Sequence, residues 1–210
     1  MMPEKFTFKD CQWEQIGEGG EKRVYIHPEN PDLVIGVFKR NAYAKYNFCT
    51  PIQLKASTES IFLKNALLNV FFPDSVAKIH CAKLTGNNIP YYIQERIYGR
   101  HPNHNISVDS KRSWKMYSAF SLIGVHYDGA ETNSIVQGNG REKMIDFHLH
   151  DIELVDFSLA WEYIGNLSEA DRQTALLLLE GLQCLKQAYD LEKPKSDVIR
   201  QKYGYEVDRI

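Results

Sequence analysis

The feature that most constrains the fold is a single change in hydrophobic periodicity near Gly99. Before it, short apolar runs are separated by turn residues, as in β-strands, and after it apolar residues recur every three or four positions, as in helices. A chain of 210 residues is long enough for one domain or for one domain with two lobes. The sequence therefore predicts an α+β fold with a strand-rich first lobe, residues 1–98, and a reduced helical second lobe, residues 99–210.

Turn residues divide the first lobe into predicted strands and one helix. The predicted strands are apolar runs at residues 23–26, 33–38, 76–79 and 90–97, with turns at residues 27–32 and 85–88. The helix is predicted near residues 57–72, beginning at Ser57 or Thr58 and ending before Pro73. The first lobe is therefore expected to be an antiparallel β-sheet with one helix.

Helical periodicity dominates the second lobe. Apolar residues at helical spacing predict a helix over residues 109–124, which Gly124 ends. The strongest helix prediction covers residues 169–189, where Ser168 and Asp171 form a capping box before a continuous apolar face.

Composition excludes several classes of protein. Lysine and arginine number 25 against 27 aspartate and glutamate, so the net charge of −2 gives no basic field for nucleic acid. The longest unbroken aliphatic run, residues 176–179, is far shorter than the roughly 20 residues of a membrane span. Four cysteines without a CxxC pair predict neither a zinc site nor a redox motif. The first ten residues contain no apolar signal core, so we expect a cytoplasmic protein or one delivered into a host cell without a cleaved signal.

Three features of the first lobe suit phosphate chemistry. Gly17, Gly19 and Gly20 lie in a turn between two predicted strands, where backbone N–H groups can approach phosphate oxygens because no Cβ intervenes. Lys39 ends a buried strand 22 residues after Gly17, and its point charge suits phosphate. Glu59, 20 residues further, is predicted in the first turn of the helix, either as a helix-dipole carboxylate or as the partner of Lys39. Each feature alone is also common in ordinary hairpins, strand ends and helix starts.

A fourth feature is a set of polar residues in the second lobe. His126, Asp128 and Asn133 are spaced as H-x-D-x4-N, and Asp146 followed by Phe147 comes 13 residues after Asn133. Together with the glycine-rich turn, the strand lysine and the helix glutamate, this order of motifs resembles the protein-kinase-like family over roughly residues 14–165. In its size and its H-Y-D sequence the chain is similar to the minimal bacterial kinases, including small effector kinases that pathogens inject into host cells.

The resemblance implies a two-lobed kinase-like fold and an enzyme that uses ATP and Mg²⁺ to phosphorylate a hydroxyl acceptor. Asp128 would accept the hydroxyl proton, Lys39 would hold the α- and β-phosphates, and Glu59 would orient Lys39. Asn133 would hold Mg²⁺ together with an aspartate of the D-F sequence. The nucleotide would also contact residues of the glycine-rich loop and the hinge, namely Ile16, Gly17, Gly19, Gly20, Val24 and backbone from Glu95 to Ile97, with Gln94 as gatekeeper.

Two aspartates compete for the metal-binding role. Asp146 has the interval from Asn133 that the family uses, whereas Asp156 lies in the sequence D-F-S, which is the closer local match. In the first alignment, which we prefer, Asp156 would lead a buried helix that braces the catalytic loop. A separate alternative is a His/Asp metal site formed by His148, His150 and Asp151 with His126 and Asp128. The i, i+2 spacing of His148 and His150 places both imidazoles on one face of a strand.

Departures from the family pattern leave the activity and the acceptor open. Tyr127 replaces the arginine that would bind a phosphorylated activation segment, so we expect basal activity to be independent of such phosphorylation and any activation to come from a bound protein partner. Lys22 replaces the third loop glycine and His148 replaces the D-F-G glycine, which leaves a pseudokinase that acts as a partner-binding module as an alternative. Ala130 stands where protein Ser/Thr kinases carry a lysine. A protein Ser/Thr acceptor is the first choice, and a sugar or lipid-linked saccharide is the alternative.

Overall fold

The structure is a computed structural model that describes residues 13–40, 50–101, 134–145, 152, 164–195 and 198. Its elements in chain order are the strands β1 Gln15–Glu18, β2 Lys22–His27 and β3 Asn30–Phe38, the helix α1 Pro51–Phe71, the strands β4 Ile79–Leu84, β5 Pro90–Glu95, β6 Ser134–Val136 and β7 Glu142–Met144, and the helix α2 Glu169–Leu191. The helix predicted over residues 109–124 lies outside the described residues.

Five strands of the first lobe form one sheet in the order β1-β2-β3-β5-β4, and each neighbouring pair is antiparallel. The predicted α+β class, with an antiparallel first-lobe sheet and one helix beside it, is confirmed. Strands β6 and β7 form a separate antiparallel hairpin.

The strand register divides the sheet into two faces. Lys22 pairs with Phe38, and Gly36 pairs with both Val24 and Tyr92. Because side chains alternate between faces along a strand, these five residues lie on one face, which we call the inner face. Phe38 and Tyr92 belong to a core cluster with α1 and α2, whereas the opposite, outer face carries its own cluster around Ile35, Tyr91 and Ile93.

Helix α1 begins six residues before the predicted start. Thr50 is its N-cap, with the Thr50 side chain accepting a hydrogen bond from Gln53 N, and Pro51 occupies the first helical position. The prediction that the helix begins at Ser57 or Thr58 is wrong, because the buried face of the first two turns is largely polar. Glu59 therefore lies in the third turn of α1 rather than in its first.

The side chain of Asn65 links α1 to the sheet through two hydrogen bonds. Asn65 is fully buried, its Nδ2 donates to Ala77 O at 2.9 Å, and its Oδ1 accepts from Ile79 N at 2.7 Å. Buried backbone N–H and C=O groups are costly without a partner, so this amide satisfies the chain where it enters β4. Asn65 thereby fixes the position of α1 along the sheet.

Helix α2 covers the side of α1 that the sheet leaves open. The predicted start and the Ser168 cap are confirmed, since the Ser168 side chain accepts from Asp171 N, and the helix ends at Leu191, two residues later than predicted. Leu179 and Leu182 are buried in the same cluster as Leu67 of α1.

Several strand boundaries differ from prediction. Strand β2 is one residue longer at each end than predicted, and β3 begins at Asn30 rather than at residue 33, so the predicted turn over residues 27–32 is shorter than expected. The strand predicted over residues 76–79 is wrong, because Val76 instead forms an isolated bridge with Met144, and β4 begins only at Ile79. The N–H of Arg96 donates to Asp32 O at 2.7 Å beyond the end of β5, which is two residues shorter than predicted. The turn at residues 85–88 is confirmed, with Asn88 at a φ of 58°.

The buried amide of Asn65 generates a stability prediction. Asn65→Ala leaves the Ala77 carbonyl and the Ile79 N–H without partners, so we expect a loss of about 2–4 kcal/mol in the free energy of unfolding, measured by urea denaturation. Asn69→Ala is the matched control, because Asn69 bonds only to Asn65 within the helix, and we expect a loss below about 1 kcal/mol. Equal stabilities for the two variants would contradict this role of Asn65.

Candidate functional site

The glycine-rich turn joins β1 to β2 and presents open backbone. Gly19 N donates to Lys22 O at 2.9 Å, which closes the turn. A Cβ built on Gly19 or Gly20 would meet no atom within 4 Å, so the described residues leave space beside both glycines. Gly17 lies against Val24, its register partner on β2.

Lys39, directly after β3, binds this turn through hydrogen bonds and an ion pair. Its Nζ donates to Gly19 O at 2.7 Å and lies 2.6 Å from Glu18 Oε1, and its backbone N–H donates to Glu21 O at 2.8 Å. The lysine therefore contacts the loop that the sequence analysis associated with it.

The predicted ion pair between Lys39 and Glu59 is wrong. Glu59 Oε1 lies 3.8 Å from Lys55 Nζ, one turn earlier on α1. The physical reason is strand alternation: Phe38 faces inward toward α1, so the side chain that follows it leaves from the other face. The role of Lys39 toward phosphate stays a prediction.

Glu18 gives the turn a fixed negative charge. Hydrogen bonds from Lys39, Arg23 and Gln15, in that order of effect, lower the pKa of the Glu18 carboxyl from 4.5 to about 2. The depressed pKa means that these contacts stabilise the fold above about pH 4.5 and are lost as the pH falls through about 2. At neutral pH the Glu18 carboxylate is ionised and offsets the charge of Lys39.

The segment after β5 corresponds to the predicted hinge. Gln94 is 2% exposed, and its Nε2 is buried without a hydrogen-bond partner. The N–H groups of Glu95 and Arg96 donate to Lys78 O at 2.9 Å and to Asp32 O at 2.7 Å. The described residues give the N–H of Ile97 no acceptor, so it is the donor in this segment that a ligand can still use.

The β6–β7 hairpin is tied to the first lobe. Met144 N donates to Ser75 O at 3.0 Å, and Met144 O accepts from Ala77 N at 2.8 Å. Lys143 Nζ lies 2.7 Å from Glu95 Oε1, the same carboxylate oxygen that accepts from Lys78 N. The hairpin that follows the H-x-D-x4-N sequence is therefore held directly against the hinge.

A close backbone approach completes this link. Arg100 and Val136 exchange hydrogen bonds of 3.1 and 2.8 Å. A Cβ on Gly99 would lie 2.1 Å from Val136 O, so only glycine fits at this position.

Several predicted site residues lie outside the described residues. These are His126, Asp128, Asn133, Asp146, His148, His150, Asp151 and Asp156. Their chain neighbours are described, however: Asn133 directly precedes β6, Asp146 follows β7 by two residues, and the register pairs Ser134 with Met144. Among the residues that are described, no cluster of three or more His, Cys, Asp or Glu side chains could hold a metal ion. Within the same residues, no helix combines the length and apolar character needed to cross a membrane.

The sequence analysis missed the environment of Lys22. It lies on the inner face with 8% exposure, and burial lowers the pKa of its amine from 10.5 to about 7. Its Nζ lies 5.7 Å from the centre of the Phe38 ring and 5.5 Å from that of Tyr92. The available signal was the lysine at the place of the third loop glycine, which the sequence analysis treated only as a departure from the pattern.

No protein-family profile and no curated protein matches this chain. Among solved structures it is similar to the kinase domain of PknI from Mycobacterium tuberculosis. A single-substitution variant of that domain gives 12% identity and a TM-score of 0.44, covering 71% of this chain and 63% of that chain. A double-substitution variant gives 12% identity and a TM-score of 0.45, covering 71% of this chain and 64% of that chain. The unsubstituted domain gives 13% identity and a TM-score of 0.40, covering 70% of this chain and 62% of that chain. This chain thus spans slightly less than two thirds of those domains.

The tight contact at Gly99 generates a second prediction. Gly99→Ala forces the hinge away from the Val136 carbonyl, so we expect a loss of about 1–3 kcal/mol in the free energy of unfolding. Gly138→Ala, in the turn of the same hairpin, is the control, because a Cβ there meets nothing within 4 Å. Thermal denaturation measures both variants, and an unchanged melting temperature for Gly99→Ala would refute the contact.

Proposed function

We propose that this protein is a kinase-like phosphotransferase that binds Mg²⁺-ATP and transfers the γ-phosphoryl group to a hydroxyl acceptor, with a protein Ser/Thr residue as the first choice. The observation that carries the proposal is the β6–β7 hairpin. It brings the chain positions next to Asn133 and Asp146 into register and ties them to the hinge that follows Gln94. This link between the hairpin and the hinge supports the proposal that motifs far apart in sequence form one site.

Chain connectivity supports Asp146 over Asp156 as the metal aspartate. Paired Cα atoms in antiparallel strands are about 5 Å apart, and each further residue adds at most about 3.8 Å. The hairpin therefore brings Ser134 and Met144, which are close in sequence to Asn133 and Asp146, next to each other. Asp156 is 12 residues beyond Met144, so the hairpin sets no comparable limit on it.

The residues present fit the nucleotide and its metal ion. The backbone at Gly20, which no Cβ shields, suits phosphate oxygens, and the unpaired Gln94 amide and the Ile97 N–H suit a base with ring nitrogens. Bound Mg²⁺ supplies charge neutralisation of the phosphates, and an amide and a carboxylate are the hard oxygen ligands it prefers.

Asp128 acts on the acceptor in this proposal. A carboxylate within hydrogen-bond reach of a hydroxyl orients it and accepts its proton as the new P–O bond forms. Little other covalent chemistry falls to the protein, so the remaining residues position the reactants. A small-molecule hydroxyl, such as that of a sugar or a lipid-linked saccharide, fits the same chemistry as a protein side chain.

One observation favours a second candidate, a pseudokinase that binds nucleotide or a partner without transfer. Lys39 is paired with Glu18 rather than with a carboxylate of α1, so its charge is already offset at the loop. A partner that orders the loop or α1 would act only through tighter binding to the competent state.

Nucleotide binding is the first test. We expect Mg²⁺-ATP at about a hundredfold excess over its Kd to stabilise the protein by roughly 2.7 kcal/mol, a rise of about 5–10 °C in melting temperature. Mg²⁺ with inorganic phosphate serves as the control for non-specific anion effects. A melting temperature that does not change with Mg²⁺-ATP would refute the nucleotide-binding proposal.

The metal aspartate is tested by two matched substitutions. We expect Asp146→Asn to abolish Mg²⁺-dependent release or transfer of labelled γ-phosphate without changing the melting temperature of the free protein. Asp156→Asn is expected to retain turnover, and Asp128→Asn to retain nucleotide binding while losing transfer. The reverse pattern for the two D-F aspartates would assign the metal to Asp156, and nucleotide binding without transfer in the wild-type protein would indicate the pseudokinase.

A further inference from the structure

The inner face of the sheet holds a lysine that the proposed mechanism does not use. Lys22 shares this face with Val24 of the glycine-rich segment, and its register partner on β3 is Phe38. Lys22 is thus the basic residue that the β1–β2 hairpin directs toward the side of the sheet covered by α1.

Aromatic rings fix the position of the Lys22 amine. The Nζ lies 5.5 Å from the centre of the Tyr92 ring and 5.7 Å from that of Phe38, distances typical of cation–π contacts. Tyr92 occupies this place because Gly36 has no side chain: a Cβ there would lie 2.4 Å from the Tyr92 ring. Residues of three neighbouring strands, β2, β3 and β5, therefore form the surroundings of the Lys22 amine.

A second buried polar group on the same face indicates a ligand. Gln94 lies two residues beyond Tyr92 on β5, and its Nε2 is buried without a hydrogen-bond partner. An amide N–H in that state is costly unless something binds it. The inner face therefore carries both an amine and an unsatisfied amide donor.

Lys39 lies in a different environment. It leaves β3 from the opposite face, and its amine is held by Gly19 O and by the Glu18 carboxylate. A phosphate that approached Lys39 would meet the negative charge of Glu18 at the same point.

We propose that Lys22, rather than Lys39, supplies the amine that contacts the phosphates of the bound nucleotide, while Lys39 positions the glycine-rich turn. This inference rests on the proposed function, because it assigns a residue to the same nucleotide site. The direction of the pKa shift agrees with it: burial disfavours the charged amine, and an adjacent phosphate restores the charged form.

The test compares two lysine variants with three ligands. Lys22→Met keeps the length and burial of the side chain and removes the amine, and Lys39→Met does the same at the other position. Isothermal titration with Mg²⁺-ATP, Mg²⁺-ADP and adenosine separates phosphate contacts from base contacts. Arg23→Met is the matched control, since it removes a neighbouring positive charge on the outer side of β2.

We expect Lys22→Met to weaken Mg²⁺-ATP and Mg²⁺-ADP at least tenfold while adenosine affinity stays within twofold of wild type. Lys39→Met is expected to weaken the nucleotides less than threefold, and Arg23→Met less than twofold. A purely structural role for Lys22 would weaken adenosine as much as ATP. Nucleotide affinity retained in Lys22→Met and lost tenfold in Lys39→Met would overturn the proposal.

Two further measurements distinguish a loss of nucleotide binding from a loss of folding. Circular dichroism and the melting temperature establish that each variant is folded, and Lys22→Gln replaces Lys22→Met if the latter is not. Failure of both Lys22 variants to fold would identify Lys22 as a core residue and overturn the assignment. Failure of the wild-type protein to bind Mg²⁺-ATP or Mg²⁺-ADP would instead refute the proposed function.

Discussion

The covering of the inner face of the five-stranded sheet by α1 is the constraint on which the rest of the structure depends. Phe38 and Tyr92 are buried in a core cluster that includes residues of α1, and Asn65 fixes the helix by satisfying backbone groups on both sides of Lys78. Once α1 is in place, the sheet has one face toward the helices and one with its own small cluster. Each side chain of β2 and β3 is then assigned to one of the two environments by its position alone.

This assignment explains why the candidate site differs from the one that motif intervals suggest. The motif intervals select Lys39 by its distance in sequence, but they contain no information about the face from which a side chain leaves its strand. Residues 33–38 are apolar without interruption, so the period-two pattern that would reveal the face is absent. The sequence of this run also does not reveal the role of Gly36, whose missing side chain makes room for the Tyr92 ring.

The parts that could be predicted are those with strong local signals. The Ser168 cap and the apolar face of α2 identified that helix, and turn chemistry identified the bend at Asn88. The start of α1 was missed because Gln53, Ser57 and Thr58 are polar yet buried, which removes the expected amphipathic pattern. The start of β4 was missed because the chain at Val76 pairs with Met144, a contact between residues far apart in sequence.

The packing of α2 on α1 also has a consequence for the way the chain folds. Leu67 and Leu182 meet in one cluster although more than a hundred residues separate them, so the loop between them must close before either is fully shielded from water. Strands β1 to β5 and α1 leave the ribosome long before α2 does. The apolar surface of α1 that α2 covers therefore stays exposed to water until α2 has been synthesised. Formation of the complete hydrophobic core is therefore a late step in folding, because it requires α2 to pack on α1 and not only the local hairpins to form.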